Sequence, residues 1–398
     1  MRKERIASLI KKFEEAVLEH YHWLHSHPEL SGQEKETAAY IAAKLREMGL
    51  EPTENVGGYG VTAVIQGKGP GKCVGLRADI DALPITECTG LPFASQYSGV
   101  MHACGHDTHA AMLLGSALVL NELKDTFDGC VKLIFQPSEE NSADSGAKRM
   151  IADGALENPH VDAVIGQHVD TLSDTGMIST RAGVASAASD RFFITLDGQG
   201  SHACRPHMGV DTIVVGAQIV SALQTIVARN VDPQGSAVVT IGKFNGGDRY
   251  NVLASHVEME GTCRNYDPAT RDMIEHRMEE IVKGIAGSMG AGYEFRYIRG
   301  YSPIMNALEL VELVRETVVE LYGETKANIP NKAIMGGEDF SFFAEKVPGV
   351  YYRTGCHKPG EPVFSTHNEH LVVDPDCFPI GMQVMVECAL KFLERESL

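Results

Sequence analysis

His-Ala-Cys-Gly-His-Asp-Thr-His-Ala-Ala-Met-Leu-Leu-Gly-Ser-Ala-Leu-Val-Leu occupies residues 102–120. Its first eight residues crowd a thiol, three imidazoles and a carboxylate together, a combination that is costly to assemble unless something binds it. The apolar run that follows, Ala110–Leu120, gives the cluster a rigid helix to stand on. Cys104 and His106, with Asp107 beside them to orient an imidazole, are candidate metal ligands. His102 and His109 read as supporting or structural residues.

Helix and strand signals alternate on either side. Ile6–Leu24 and Glu34–Met48 carry helical spacing, while Val61–Gln66 and Cys73–Ala78 read as strands. After the helix from about Thr108 to Lys124 come the strand Val131–Phe135, a helix near Ala147–Asp153 and the strand Ala163–Gln167. This is the α/β pattern. The last three of these strand signals each end at a polar motif, and open α/β sheets gather their chemistry at the carboxyl ends of strands, so the motifs are expected to share one cleft.

Beyond Gly183 the texture changes to strand Arg191–Leu196, helix Val210–Ala228, strands near Ala237–Phe244 and His256–Cys263, helix Ala269–Ala286 and strand Tyr293–Ile298. A βαββαβ order can close on itself as a small ferredoxin-like domain. The first texture returns with helix Ala307–Tyr322, the Gly-Gly-Glu-Asp-Phe turn at 336–340 and a final helix from about Pro379 to Arg395. The expected organisation is therefore a discontinuous catalytic domain, residues 1–183 and 302–398, interrupted by a lid domain at 184–301, with Gly183 and Ser302-Pro303 at the linkers.

A chain of 398 residues exceeds the roughly 250–300 at which a single core stops growing, which also points to two domains. The formal charge of −18 is not offset by any basic block, which argues against nucleic acid or an anionic membrane as partner and favours small molecules or short peptides. Nine irregularly spaced cysteines read as reduced thiols. The charged start lacks a signal-peptide core, and the longest apolar run falls short of the ~20 residues a membrane span needs. A cytoplasmic protein is expected.

Further candidates lie outside the first cluster. Gln136-Pro137-Ser138-Glu139-Glu140 follows an apolar strand, and neighbouring side chains on an extended backbone point apart, so one carboxylate can bind a metal while the other handles a proton. The residues alone leave open which does which. His168 follows the apolar segment Val161–Gly166, and His367 sits in the polar stretch 364–370 near Asp374. Alone, each reads as an ordinary satisfied histidine. In the lid, Gln199–His207 carries His202 and His207, read equally as loop residues. Asn251 and Arg264 are similar, although an arginine suits bidentate capture of a substrate carboxylate.

Taken in order, these residues resemble the aminoacylase and carboxypeptidase group of metal-dependent amidohydrolases, in the branch of auxin-conjugate hydrolases, hippurate hydrolases and bacterial N-acyl-amino-acid deacetylases. The resemblance runs through His-Ser-His-Pro-Glu-Leu-Ser-Gly-Gln-Glu (25–34), Leu-Arg-Ala-Asp-Ile-Asp-Ala-Leu-Pro-Ile (76–85), His-Ala-Cys-Gly-His-Asp (102–107), Gln-Pro-Ser-Glu-Glu (136–140), Gly-Gln-His-Val (166–169), Gly-Ser-His-Ala (200–203) and Gly-Gly-Glu-Asp-Phe (336–340).

It implies a mixed-sheet α/β catalytic domain of the zinc-exopeptidase type with the ferredoxin-like lid inserted. It implies two divalent metal ions held by Cys104, His106, Glu140, His168 and His367, and Glu139 as general base acting on a metal-activated water. It further implies that His202, from the same subunit or a partner's, stabilises the oxyanion, that Asn251 and Arg264 hold the substrate, and that the lid forms a homodimer. Asp79-Ile80-Asp81 stands where many relatives carry a His-x-Asp ligand motif, which leaves manganese, zinc, cobalt and nickel in play.

The implied reaction is hydrolysis of N-acyl amino acids to a carboxylic acid and a free amino acid. A metallo-dipeptidase or carboxypeptidase on the same fold is the runner-up. A cysteine hydrolase with Cys104 as nucleophile is a rival of another class, as is a non-catalytic binder, which would be expected to lose the base.

Overall fold

The computed structural model describes residues 2–395. The chain opens with α1 (Arg2–Ser26), α2 (Lys35–Glu47), β1 (Thr53–Val56), β2 (Gly60–Gln66), β3 (Cys73–Asp79), α3 (His106–Leu123), β4 (Cys130–Gln136), α4 (Gly146–Ala152), β5 (Ala163–Asp174), β6 (Ile178–Ser179) and β7 (Gly183–Val184). It continues through β8 (Ala188–Asp197), α5 (Thr212–Thr225), β9 (Ala237–Gly246), β10 (His256–Asn265), α6 (Pro268–Ser288) and β11 (Gly292–Tyr301). It ends with β12 (Met305–Asn306), α7 (Leu308–Tyr322), β13 (Ala327–Asn328), α8 (Phe340–Ala344), β14 (Gly349–His357) and α9 (Cys377–Glu394).

Contacts divide the chain into two units. One comprises Met1–Ala185, Ile304–Ala333 and Asp339–Leu398; the other comprises Ser186–Pro303 and Ile334–Glu338. The short segment 334–338, placed by the sequence pattern in the larger domain, clusters with the smaller one because it bridges back to Ser186 and because Ala187 N–H donates to the Gly336 carbonyl at 3.1 Å.

The larger unit is a mixed eight-stranded sheet in the order β1-β2-β4-β3-β5-β14-β6-β13. At its centre β4, β3, β5 and β14 run parallel. Both β3 and β4 are buried at every position, as parallel strands covered on both faces are, and they read as mostly apolar runs for that reason. Helix α3 is apolar all round and buried almost end to end, with α1 and α9 packed on it. On α1, Ile6, Ile10, Val17, Tyr21 and Leu24 recur at helical spacing and supply the buried face.

Six strands escape the sequence reading, the two-residue β6, β7, β12 and β13 and two longer ones. β1 is a short edge strand, and β14 (Gly-Val-Tyr-Tyr-Arg-Thr-Gly-Cys-His) mixes aromatic, charged and small residues, so it shows neither a uniform apolar run nor strict alternation. β5 also extends to Asp174, which places His168 inside a strand and not at its end.

The smaller unit is an antiparallel sheet in the order β11-β8-β10-β9, packed against α5 and α6. Phe192, Ile194 and Leu196 alternate into its core beside Val215, Ile219, Val257 and Met278. Each large side chain so buried contributes about 1.5–3 kcal/mol. Asp190 anchors the unit from within, receiving Arg271, the Tyr297 hydroxyl at 2.8 Å and Gly300 N–H at 3.0 Å.

Candidate metal centre

The parallel strands β4, β3 and β5 lie side by side, so the loops leaving β3 and β4 emerge near His168 on β5. Gly105 supplies the turn that starts α3. Its φ is +84°, and a Cβ there would lie 2.6 Å from Val169 Cγ2, so the backbone both twists and approaches β5 in a way only glycine allows. The far C-terminal loop is tied to the same place by His367 N–H, which donates to the Ala103 carbonyl at 2.6 Å. His367 itself holds φ +67°, a conformation uncommon for a side chain of its size.

Hydrogen bonds sort the histidines. His106 Nδ1 lies 2.9 Å from the Asp81 carbonyl and His168 Nδ1 2.6 Å from the Val169 carbonyl. A carbonyl only accepts, so both rings carry a hydrogen on Nδ1 and turn Nε2 toward the cluster. His106 Nε2 is buried with no hydrogen-bond partner among the described residues, and His168 Nε2 faces Cys104 Sγ at 3.4 Å. His109 differs. Val169 N–H donates to its Nε2 at 2.9 Å and its Nδ1 bonds Asp79 Oδ1 at 2.5 Å, so both nitrogens are engaged and the ring has no lone pair to offer.

The carboxylates arrive from a turn. The sequence reading takes Glu139 and Glu140 as an extended pair pointing apart; instead β4 ends at Gln136 and Ser138 adopts φ +53°, which brings both side chains to one place. Donor atoms of His106, Glu139 and Glu140 lie within 4.8 Å of one another, as do those of Cys104, His106 and His168, and those of Cys104, Glu140 and His367. Shared members make these one cluster of six residues. Glu140 Oε1 stands 3.1 Å from His367 Nε2.

This donor set fits divalent cations. A buried imidazole nitrogen without a hydrogen-bond partner, with Asp79 Oδ2 no nearer than 3.7 Å, is costly unless something coordinates it, and thiolate, imidazole and carboxylate together suit first-row metals. The electrostatics agree. Burial pulls the His106 imidazole down, yet Asp79, Cys104 and Asp81 hold it well above the ordinary histidine range, so the site favours positive charge. Burial, with Glu140 beside it, pushes the Cys104 thiol up to about 12, a shift that a coordinated cation reverses.

Behind the cluster stand acids that the sequence reading does not single out as site residues. Asp79, fully buried, bonds Arg77 at 2.7 Å as well as His109. Asp81 places Oδ1 3.1 Å from His106 Nδ1, while its Oδ2 accepts the Ser31 hydroxyl at 2.6 Å and Glu140 N–H at 3.0 Å. Asp339 of the Gly-Gly-Glu-Asp-Phe turn receives Arg77 at 3.0 Å, Gln136 at 2.8 Å and the Ser145 hydroxyl at 2.7 Å. Two acids flanking one apolar residue at the end of β3 were the available signal for Asp79 and Asp81.

The three lid candidates belong to the smaller unit. His202 is exposed and bridges to Val252, while Ala203 N–H donates to the Asn251 carbonyl at 3.1 Å, so His202 and Asn251 share one corner. Arg264 lies on β10, half-buried, and turns back on its own strand to Thr262 and to the Cys263 carbonyl at 3.0 Å.

The sequence model of peptidase family M20/M25/M40 matches residues 75–391. The chain belongs to this family. Among M20 relatives it is 42% identical over 306 residues to the N-acyl-L-amino acid amidohydrolase of Geobacillus stearothermophilus, covering 77% of this chain and 82% of that one. It is 36% identical over 392 residues to thermostable carboxypeptidase 2 of Saccharolobus solfataricus, covering 98% of each. The crystal structure of the Bacillus subtilis YXEP protein, described as a dinuclear metal binding peptidase from the M20 family, matches with a TM-score of 0.82 at 33% identity over 96% of this chain and 99% of that one. The mixed-sheet α/β fold and the motif resemblance thus lead to one family.

Proposed function

We propose that this M20 hydrolase cleaves the amide bond of N-acyl amino acids, releasing a carboxylic acid and a free amino acid. Cys104, His106, Glu140, His168 and His367 hold two divalent ions, and Glu139 is the general base. The convergence of these six side chains in overlapping groups, with His106 Nε2 buried among them without a hydrogen-bond partner, carries the reading. The similarity to an N-acyl-L-amino acid amidohydrolase and to a dinuclear metal binding peptidase supports it. Manganese, zinc, cobalt and nickel all suit the mixed thiolate, imidazole and carboxylate set.

Bound divalent ions supply Lewis acidity, bringing the pKa of water to about 7 and polarising the scissile carbonyl. Glu139, buried at the edge of the cluster, takes the proton of the attacking water as the new C–O bond forms, and passes it to the leaving amine nitrogen as the C–N bond breaks. The motif resemblance gives His202 the oxyanion role, a kind of contact worth about 2.7–4 kcal/mol in the transition state, and gives Asn251 and Arg264 the substrate. Similarity to a carboxypeptidase keeps peptides as a second substrate class. The Cys104 thiol, held up to about 12 by burial, is poorly suited to act as a nucleophile, which weighs against a cysteine hydrolase.

We also place the protein in the cytoplasm, a reading supported by nine free thiols, and as a homodimer through the lid. Strand β9 is an edge strand with exposed residues along most of its length, beside the exposed Ile213 and Val214 of α5; an unpaired edge next to apolar side chains suits a second copy. The experiment is an assay of N-acyl amino acids and dipeptides with each metal, with and without EDTA, on the native chain and on Glu139→Gln. Loss of turnover with chelator and in metal-loaded Glu139→Gln is expected. Activity that survives EDTA would remove the metal mechanism.

A further inference from the structure

Glu34 stands at the N-cap of α2, yet its side chain caps nothing. It is wholly buried, and one carboxylate oxygen, Oε1, accepts Ser138 N–H at 2.8 Å, the Ser138 hydroxyl at 3.2 Å and Gly32 N–H at 2.9 Å. Its other oxygen has no hydrogen-bond partner among the described residues. Burying a half-satisfied carboxylate is expensive, so the contact it makes 104 positions along the chain needs a reason.

Ser138 supplies one. Its φ of +53° is disfavoured for any residue with a side chain and persists only where surroundings impose it. Glu34 takes its N–H, Arg149 donates to its hydroxyl at 3.0 Å, and Gly146 N–H donates to its carbonyl at 3.2 Å. Two residues on, Glu140 N–H is pinned separately by Asp81. Glu139 stands between the two pins.

We infer that Glu34 is a positioning residue that holds the Ser138 turn and thereby aims the Glu139 carboxylate. The inference rests on the reading of Glu139 as general base. Because Asp81 anchors Glu140 independently, loss of the Glu34 contact disturbs proton transfer without emptying the metal site. Glu34 is therefore a determinant of kcat and not of metal content.

The test measures kcat, KM and bound metal for Glu34→Ala, Glu34→Gln and Glu34→Asp, each also in a Ser138→Gly background. Glu34→Asp keeps the charge but is a methylene short of Ser138, so it serves where Glu34→Ala does not fold. Misplacement on the ångström scale costs about 10²-fold, so kcat is expected to fall roughly 10–100-fold in Glu34→Ala and Glu34→Asp, with metal stoichiometry kept. Glu34→Gln retains the acceptor for Ser138 N–H and most of the rate.

Glycine adopts φ +53° without help, so in Ser138→Gly the Glu34→Asp change costs less than about threefold, a coupling that a purely structural role would not produce. Native kcat in Glu34→Asp, or a loss equally large in the Ser138→Gly background, overturns the inference. Glu139→Gln measured alongside separates the two failures. If it is active with metals bound, the base and the inference fall together, whereas if it is inactive beside an unaffected Glu34→Asp, the positioning role alone is wrong.

Discussion

His106 Nδ1 lies 2.9 Å from the backbone carbonyl of Asp81 and 3.1 Å from that residue's Oδ1. The pairing keeps a ring hydrogen on Nδ1 and leaves Nε2 as the ligand atom once its own proton is lost. Outer partners of this kind typically set metal affinity by 10–100-fold, so Asp81→Ala is expected to weaken divalent ion binding by about that factor. Both variants keep the backbone carbonyl, but Asp81→Asn also keeps one side-chain oxygen and should lose less. Competition against a chelator of known affinity gives the comparison, and native affinity in Asp81→Ala would mean that the backbone carbonyl alone orients His106.

Gly146 opens α4 flush against the carboxylate turn. A Cβ there would lie 1.7 Å from the Pro137 carbonyl oxygen, so Gly146→Ala has to displace the Pro137–Ser138 backbone that carries Glu139. Overpacking of this kind costs roughly 1–3 kcal/mol, and displacement of a catalytic group costs about 10²-fold in rate. Urea denaturation and kcat/KM report the two effects. A variant with native stability and native rate would show that the turn shifts without moving Glu139.

The sequence announces such a centre unevenly. Apolar strands and amphipathic helices are visible because burial selects their residues, and α3, β3 and β4 stand out for that reason. β14 does not, since its place in the sheet rests on backbone hydrogen bonds to β5 that tolerate Arg353, Thr354 and Gly355. In the site, the cluster at 102–109 is conspicuous, whereas His168 and His367 look ordinary until folding sets them beside Cys104. What no residue spelling conveys is conformation: the left-handed backbone of Ser138 and His367, and the hydrogen bonds that commit His109 to support while turning Nε2 of His106 and His168 toward the cluster.

Metal uptake should release protons. Burial holds the Cys104 thiol up to about 12, and the Asp79 and Asp81 carboxylates overcome burial to keep His106 above the ordinary histidine range, so both side chains are protonated at neutral pH in the metal-free protein. Each has to lose its proton to become a ligand, and roughly two protons per site are expected to leave on binding, with affinity rising as pH rises. Titration calorimetry in buffers of different ionisation enthalpy counts them, and Cys104→Ser should lower the count by one. Binding that is independent of both buffer and pH would contradict the assignment of these two ligands.

Stability should also carry the signature of His25, which reaches Asp107 Oδ2 through Nδ1 at 2.6 Å and Glu87 Oε1 through Nε2 at 3.2 Å, all three side chains being buried. Burial pulls the imidazole down, but the bonds to Asp107 and Glu87 outweigh it and carry the pKa from 6.5 to about 9. A group whose pKa is raised by folding stabilises fully below its unfolded value and loses that contribution as pH climbs through its folded one. The loss therefore falls between about pH 6.5 and 9, and a shift of this size corresponds to at most about 3 kcal/mol. Denaturant midpoints measured across that window should decline in the native chain and decline less in His25→Gln, which starts from lower stability because Asp107 has lost its cationic partner. Parallel profiles for the two proteins would assign the decline to other groups.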